Sequence, residues 1–167
     1  ARLSSDGDLV AVDTGNGPVV NVDGDLSLSA VRAIAGSNGA PLVVQVNGNL
    51  LLAAAGTDIG LRQASGDLRV GLVNANGAVS LEVPGGSLLS YLKNVAAITG
   101  RQLKLVIAKS LRDADGSALA VRMLADGTLD ATAGGSIHLS SDADLVVGTL
   151  DAGGTLRLAV TDGRLDA

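Results

Sequence analysis

The chain has 167 residues, a net charge of −5, a pI near 4.6 and 47% hydrophobic content, yet only 1% of its residues are aromatic and none is cysteine. The acidic balance excludes a nucleic-acid partner, whose phosphates demand a basic face. The missing cysteines exclude disulfides and thiolate metal sites. With Tyr91 as the sole ring, a core of this size must be built from Leu, Val, Ile and Ala.

Short runs with period-two alternation, closed by Asn-Gly, Asp-Gly or other glycine turns, recur from the start. They predict strands at 8–12, 18–22, 25–29, 41–46, 49–53, 58–61, 67–70 and 78–83. The stretch 88–98 is open to either a short helix or a strand, Leu88, Leu92, Val95 and Ala96 having helical spacing. Strands resume at 103–107, 118–123, 128–131, 136–139, 144–147 and 155–160. The longest apolar stretch, LVVQVNGNLLLAAAG, is broken by Gln45, Asn47 and Asn49, which excludes a membrane span in this segment. The opening ARLSSDGD has no signal-peptide pattern, so an export signal is expected outside these residues.

The chain repeats itself. A shift of 77 lays residues 67–88 on 144–165 with ten identities in 22 positions, and the long repeat divides the chain into 11–87 and 88–164. Residues 3–10, LSSDGDLV, return at 139–146 as LSSDADLV. A shorter beat places Asp8-Leu9, Asp25-Leu26, Asn49-Leu50 and Asp67-Leu68 at intervals of 17, 24 and 18 residues. Two all-β architectures fit: a parallel β-helix, or two tandem immunoglobulin-like sandwiches with antiparallel hairpins. The lack of large rings favours the first, because columns of like aliphatic side chains fill a narrow coil without them. The short beat then predicts a single β-helical segment of about eight or nine coils, on the order of 40 Å long at one strand spacing per coil. The chain begins and stops in mid-repeat, and is expected to be a slice of a longer array or a unit that stacks end to end.

Three stretches carry a likeness to a known family: PVVNVDGDLSLSAVRAIAGSNGAPLVVQV, GTDIGLRQASGDLRVGLVNANGAVSLEVPGGSLL and GGSIHLSSDADLVVGTLDAGGTLRLAV. Residues 18–90 and 95–167 resemble the repeats of filamentous-haemagglutinin-like giant bacterial exoproteins. The resemblance implies a right-handed parallel β-helix, secreted or anchored at the bacterial cell surface, serving as an adhesin shaft or as a biofilm or contact-dependent factor. Residues 87–112 depart from the family pattern by carrying Tyr91 and several bases.

Candidate sites are few. His138 lies between Ile137 and Leu139 in an alternating strand and is expected to point outward, with no nucleophile motif to complete a triad. The turn pairs Asp6/Asp8, Asp23/Asp25, Asp113/Asp115 and Asp142/Asp144 offer carboxylate oxygens, and calcium is the one cofactor they suggest. Without an RTX or EF-hand pattern, solvated turns are the expected reading and no cofactor is assigned. Gly15-Asn16-Gly17 continues into Pro18 and two valines, which is no phosphate-binding loop. Lys93, Arg101, Lys104, Lys109 and Arg112 form a basic cluster in an acidic chain, suited to glycans or to acids of a neighbouring rod such as Asp6, Asp8, Asp13, Asp23 and Asp25. A polysaccharide-degrading β-helix is the enzyme alternative, but clustered catalytic acids and aromatic sugar platforms are missing. The expected function is therefore a non-enzymatic structural shaft, with a glycan-binding module as alternative and self-association, end to end or lateral, as the expected partnership.

Overall fold

A computed structural model describes residues 1–12 and 17–167. Asp13, Gly15 and Asn16, named above, lie outside the described residues. Among the described residues eighteen strands wind into a parallel β-solenoid of about seven turns. The first turn carries β1 (Arg2–Ser5), β2 (Leu9–Ala11) and β3 (Val20–Val22), the second β4 (Leu26–Ala30), β5 (Ile34–Gly36) and β6 (Leu42–Val46). The next two are shorter, with β7 (Leu50–Ala55) and β8 (Ile59–Gln63), then β9 (Leu68–Ala75) and β10 (Ala78–Val83). There follow β11 (Leu88–Ser90) with β12 (Ile98–Ile107), β13 (Leu111–Asp113) with β14 (Leu119–Ala133), and β15 (Ile137–Ser141) with β16 (Leu145–Ala152). A partial last coil holds β17 (Leu156–Val160) and β18 (Leu165–Asp166).

Each circuit has two arcs. On the first arc, parallel pairing stacks Leu3, Leu28, Ala53, Val73, Ile98, Val121, Ser141 and Val160 in one column. On the second, Leu9, Ile34, Ile59, Val79, Leu103, Leu129 and Val147 form another, and Leu42, Leu61, Leu81, Leu105, Ala131 and Leu150 a third. The middle members of these columns are fully buried. Alternation puts every second side chain inside, and each leucine so buried contributes roughly 1.5–3 kcal/mol. No antiparallel pairing occurs among the described residues, so the tandem-sandwich alternative is excluded.

The coil count corrects the sequence expectation of eight or nine. Leu3 and Val160 are 157 residues and seven steps apart, about 22 residues per circuit. The Asp-Leu beat overcounts because it strikes two corners of the same coil: Asp8 caps the next coil at Ala33, whereas Asp25 caps it at Asn49. The long repeat of 77 is then about three and a half circuits, and its copies come back on opposite arcs. Leu28 of the first arc corresponds to Leu105 of the second, and Leu42 and Leu81 of the second to Leu119 and Leu158 of the first.

Residues 88–98 contain no α-helix: β11 ends at Ser90, residues 91–96 leave the wall as an arm, and Ile98 opens β12. Residues 114–118 leave the next coil in the same way. Serines shape several exits from the first arc. The Ser5, Ser90 and Ser141 hydroxyls accept the N–H two residues on, from Gly7, Leu92 and Ala143, at 3.1–3.2 Å. Among the described residues no helix is long and apolar enough to cross a membrane.

Candidate functional site

The turn carboxylates act within the rod. Asp67 Oδ1 accepts the backbone N–H of Ser87 one coil on, at 2.8 Å. The Ser87 hydroxyl accepts from Ser110 N–H, that of Ser110 from Ser136 N–H, and that of Ser136 from Thr155 N–H, at 3.2–3.3 Å. One corner of the solenoid is thus a continuous ladder of side chains, each holding the coil after it. Elsewhere Asp58 holds Ala78, Asp130 holds Thr149 and Asp144 holds Arg164.

Bonds of the same kind occupy most of the acids considered for calcium. Asp8 accepts from Ala33 N–H and pairs with Arg32, Asp23 accepts from Asn47, and Asp25 accepts from both the backbone and side chain of Asn49. Asp113, though buried, accepts from Ala114 N–H, and Asp142 pairs with Arg122, which draws its carboxyl below the ordinary range. Among the described residues no three His, Cys, Asp or Glu side chains converge on one point.

The five bases follow the chain around a circuit. Lys93 stands on the 91–96 arm, and Arg101 sits at the corner, its N–H bonded to the Gly77 carbonyl at 2.7 Å. Lys104 faces outward on β12 between Ser80 and Asp130, and Lys109 lies in the turn bonded to Gly86 and Gly135. Arg112, half-buried on β13, lays its guanidinium against Gly116 of the second arm. Only Lys93 and Arg112 meet on a shared feature, the pair of arms.

That double arm stands out from the wall where the pairing of β11 with β9 and of β13 with β15 is interrupted. Lys93 binds Asp115 at 2.9 Å across the two arms, and the Ser117 hydroxyl and N–H also donate to Asp115. The Ser117 hydroxyl, Lys93 and the Ser117 N–H together hold the Asp115 carboxyl well below the usual carboxylate range, and Asp115 raises Lys93 in return. Beyond the arms the following coils continue flush, leaving a ledge with recesses of about 180, 250 and 260 Å³. Asn94, Ser117, His138, Ser140 and Arg157 supply their polar lining. His138 is half-buried and outward, as its neighbours Ile137 and Leu139 require; its Nδ1 lies 3.2 Å from the Gly116 carbonyl, which fixes the proton on Nδ1 in the neutral ring.

Tyr91 reaches from the arm back along the rod over Gly71 and the Leu51 carbonyl. Desolvation, and then Asp25, raise its phenol above the usual value. Gly71 is where the alternation of β9 slips, Val70 and Gly71 both being buried, and the missing side chain leaves the notch that the ring fills. Sequence alone marked Tyr91 and the bases as unusual but held no sign of this notch, because the residues that form it are 20 apart in sequence. Comparison with protein-family models, with curated proteins and with solved structures returns no match.

Proposed function

We propose that the chain is a non-enzymatic spacer, a rigid segment of a secreted or cell-surface bacterial shaft of the filamentous-haemagglutinin-like kind, whose work is to hold other parts a fixed distance apart. The observation that carries this reading is the inter-coil bonding: among the described residues, stacked columns and side-chain hydrogen bonds tie successive coils together. Asp25, Asp58, Asp130 and Asp144 add to it, each accepting a backbone N–H of the following coil. A rod of about seven turns spans roughly 34 Å at one strand spacing per turn.

The test is a spin-label distance between the first and last coils, compared in dilute buffer and under crowding. A spacer gives one narrow distribution that does not shift; a broad or condition-dependent one rejects the reading. Surface biotinylation of intact cells expressing the protein tests the location, and an unlabelled chain in intact but not lysed cells rejects it.

A second reading has the ledge in its favour. Asn94 on the first arm, with His138 and Arg157 on the wall beside the arms, would suit the hydroxyls and carboxylates of a glycan. Saturable glycan-array binding lost in Arg157→Ala would establish that module in place of the bare spacer.

A further inference from the structure

At four places on the wall an outward base has its acid one coil away. Arg32 pairs with Asp8 of the coil before it at 3.1 Å, Arg62 with Glu82 of the coil after it at 2.9 Å, Arg122 pairs with Asp142, and Lys104 stands opposite Asp130. Opposite charges so placed stabilise each other across one strand spacing. One outward column breaks the pattern. Leu89 of β11 stands between Arg69 of β9 and Arg112 of β13, and His138 of β15 stands opposite Arg157 of β17. Leu111 lies opposite Ile137, so Arg112 precedes His138 in the same column. The order along the rod is therefore Arg69, Leu89, Arg112, His138, Arg157, on five successive coils and without an acid. None of the three guanidiniums enters an ion pair among the described residues.

A single residue separates each arginine from the next, so the guanidiniums repeat every two coils, about 10 Å, and the outer two stand about 19 Å apart. At that step salt screens most of their mutual repulsion, and the wall can carry three like charges in a line with no partner of its own. Arg69 and Arg157 are exposed and Arg112 is half-buried. A planar guanidinium takes a carboxylate through two parallel N–H bonds. His138 donates from Nδ1 to the Gly116 carbonyl, which leaves Nε2 to accept from a hydroxyl between the second and third arginines. The column faces sideways from the rod, so the stacking of coils does not cover it.

We infer that this column binds one strand of a linear acidic polysaccharide lying along the rod, with a carboxylate on every second sugar. Two sugars in extended conformation cover the two-coil step, so successive carboxylates meet Arg69, Arg112 and Arg157 in turn. This ligand rests on the glycan-binding reading of the neighbouring ledge, which shares His138 and Arg157, and gives that reading its chemical class. Duplex phosphates follow one another at about 3.4 Å along a strand and fall out of step with the column. A neutral glycan offers the arginines nothing to pair with.

Hyaluronan oligosaccharides, with one carboxylate per disaccharide, are the probe, and a neutral chitin hexasaccharide is the control. In NMR titrations of the full chain at low salt, the hyaluronan hexasaccharide, with three carboxylates, is expected to bind about five-fold more tightly than the tetrasaccharide, with two. The chitin hexasaccharide should not bind. Arg69→Gln and Arg157→Gln, both at exposed sites, should each lower hexasaccharide affinity about five-fold and abolish its gain over the tetrasaccharide. Lys104→Gln removes the same charge from the other arc and should leave both affinities unchanged. Equal binding of the two lengths overturns the inference, as does a loss in Lys104→Gln as large as that in Arg69→Gln, or a hyaluronan hexasaccharide that fails to bind. In this last case another glycan bound saturably through Arg157 keeps the glycan-binding reading while the acidic ligand falls, and no glycan bound at all removes both.

Discussion

Replacing Asp67 by alanine removes the first rung of the corner ladder and leaves the Ser87 N–H without its partner at 2.8 Å. Asp67 is exposed, so water reaches the orphaned group, and the cost resembles that of a lost helix N-cap, about 1–2 kcal/mol, rather than that of a buried charge. For a chain of this length that is a fall in melting temperature of about 2–8 °C. Asp67→Asn keeps an oxygen in the same place and should recover most of the loss. Urea denaturation followed by circular dichroism measures it, the midpoint moving with an unchanged slope. The wild type's response to calcium separates this account from metal binding, because an asparagine carbonyl can itself ligate calcium. The reasoning is refuted if both variants are equally destabilised while calcium raises the midpoint of the wild type, or if alanine costs nothing.

Further outcomes follow from the same geometry. Leu81→Ala, in the middle of the Leu42–Leu61–Leu81–Leu105 column, should cost about 3 kcal/mol in urea unfolding. Leu3→Ala, where the side chain is 38% exposed, should cost well under half of that. Gly71→Ala runs its new methyl into the Tyr91 hydroxyl and the Leu51 carbonyl; since the backbone cannot yield freely, the ring must leave its notch. Tyrosine emission, which reports Tyr91 alone, should move toward that of a free side chain, with a loss of about 1–3 kcal/mol. Asp115 ionises further down than a free aspartate, so what the arm-to-arm pair contributes is whole above pH 3.8 and is lost as pH falls through its own lower value. Carboxyl NMR should find it still ionised at pH 3, and Ser117→Ala should move its titration upward.

The strands and the identity of the core were legible from period-two alternation because a solenoid wall has one inner and one outer face, so Leu26, Leu28, Leu42 and Val44 declare themselves by spacing. The number of coils was not, since an Asp-Leu step serves at two corners of one circuit and sequence does not say which corner is being turned. The arms escaped for a related reason. Residues 91–96 have helical apolar spacing with Leu92 and Val95, yet Ser90 bonds the N–H of Leu92 and turns the chain out of the wall. The short strands at 2–5, 34–36, 88–90 and 111–113 are set by the neighbours they pair with, and their own alternation is too brief to show. The acids were visible as turn residues, but their acceptors' role depends on an N–H about 20–25 residues on, which register alone supplies. The charge cluster at 93–112 is a property of one circuit of chain, and winding distributes it around the rod.

Successive circuits of the rod climb by one strand spacing each. Spin labels at Ser4 and, in turn, at Ala54, Asn74, Thr99 and Arg122, sites that stack in one outward column, measure it directly. The separations should rise linearly by about 4.8 Å per coil, to about 24 Å at Arg122 beyond the label linkers. Distances that fail to rise in step with coil number, or that jump between Asn74 and Thr99 as two separate lobes would make them do, contradict it.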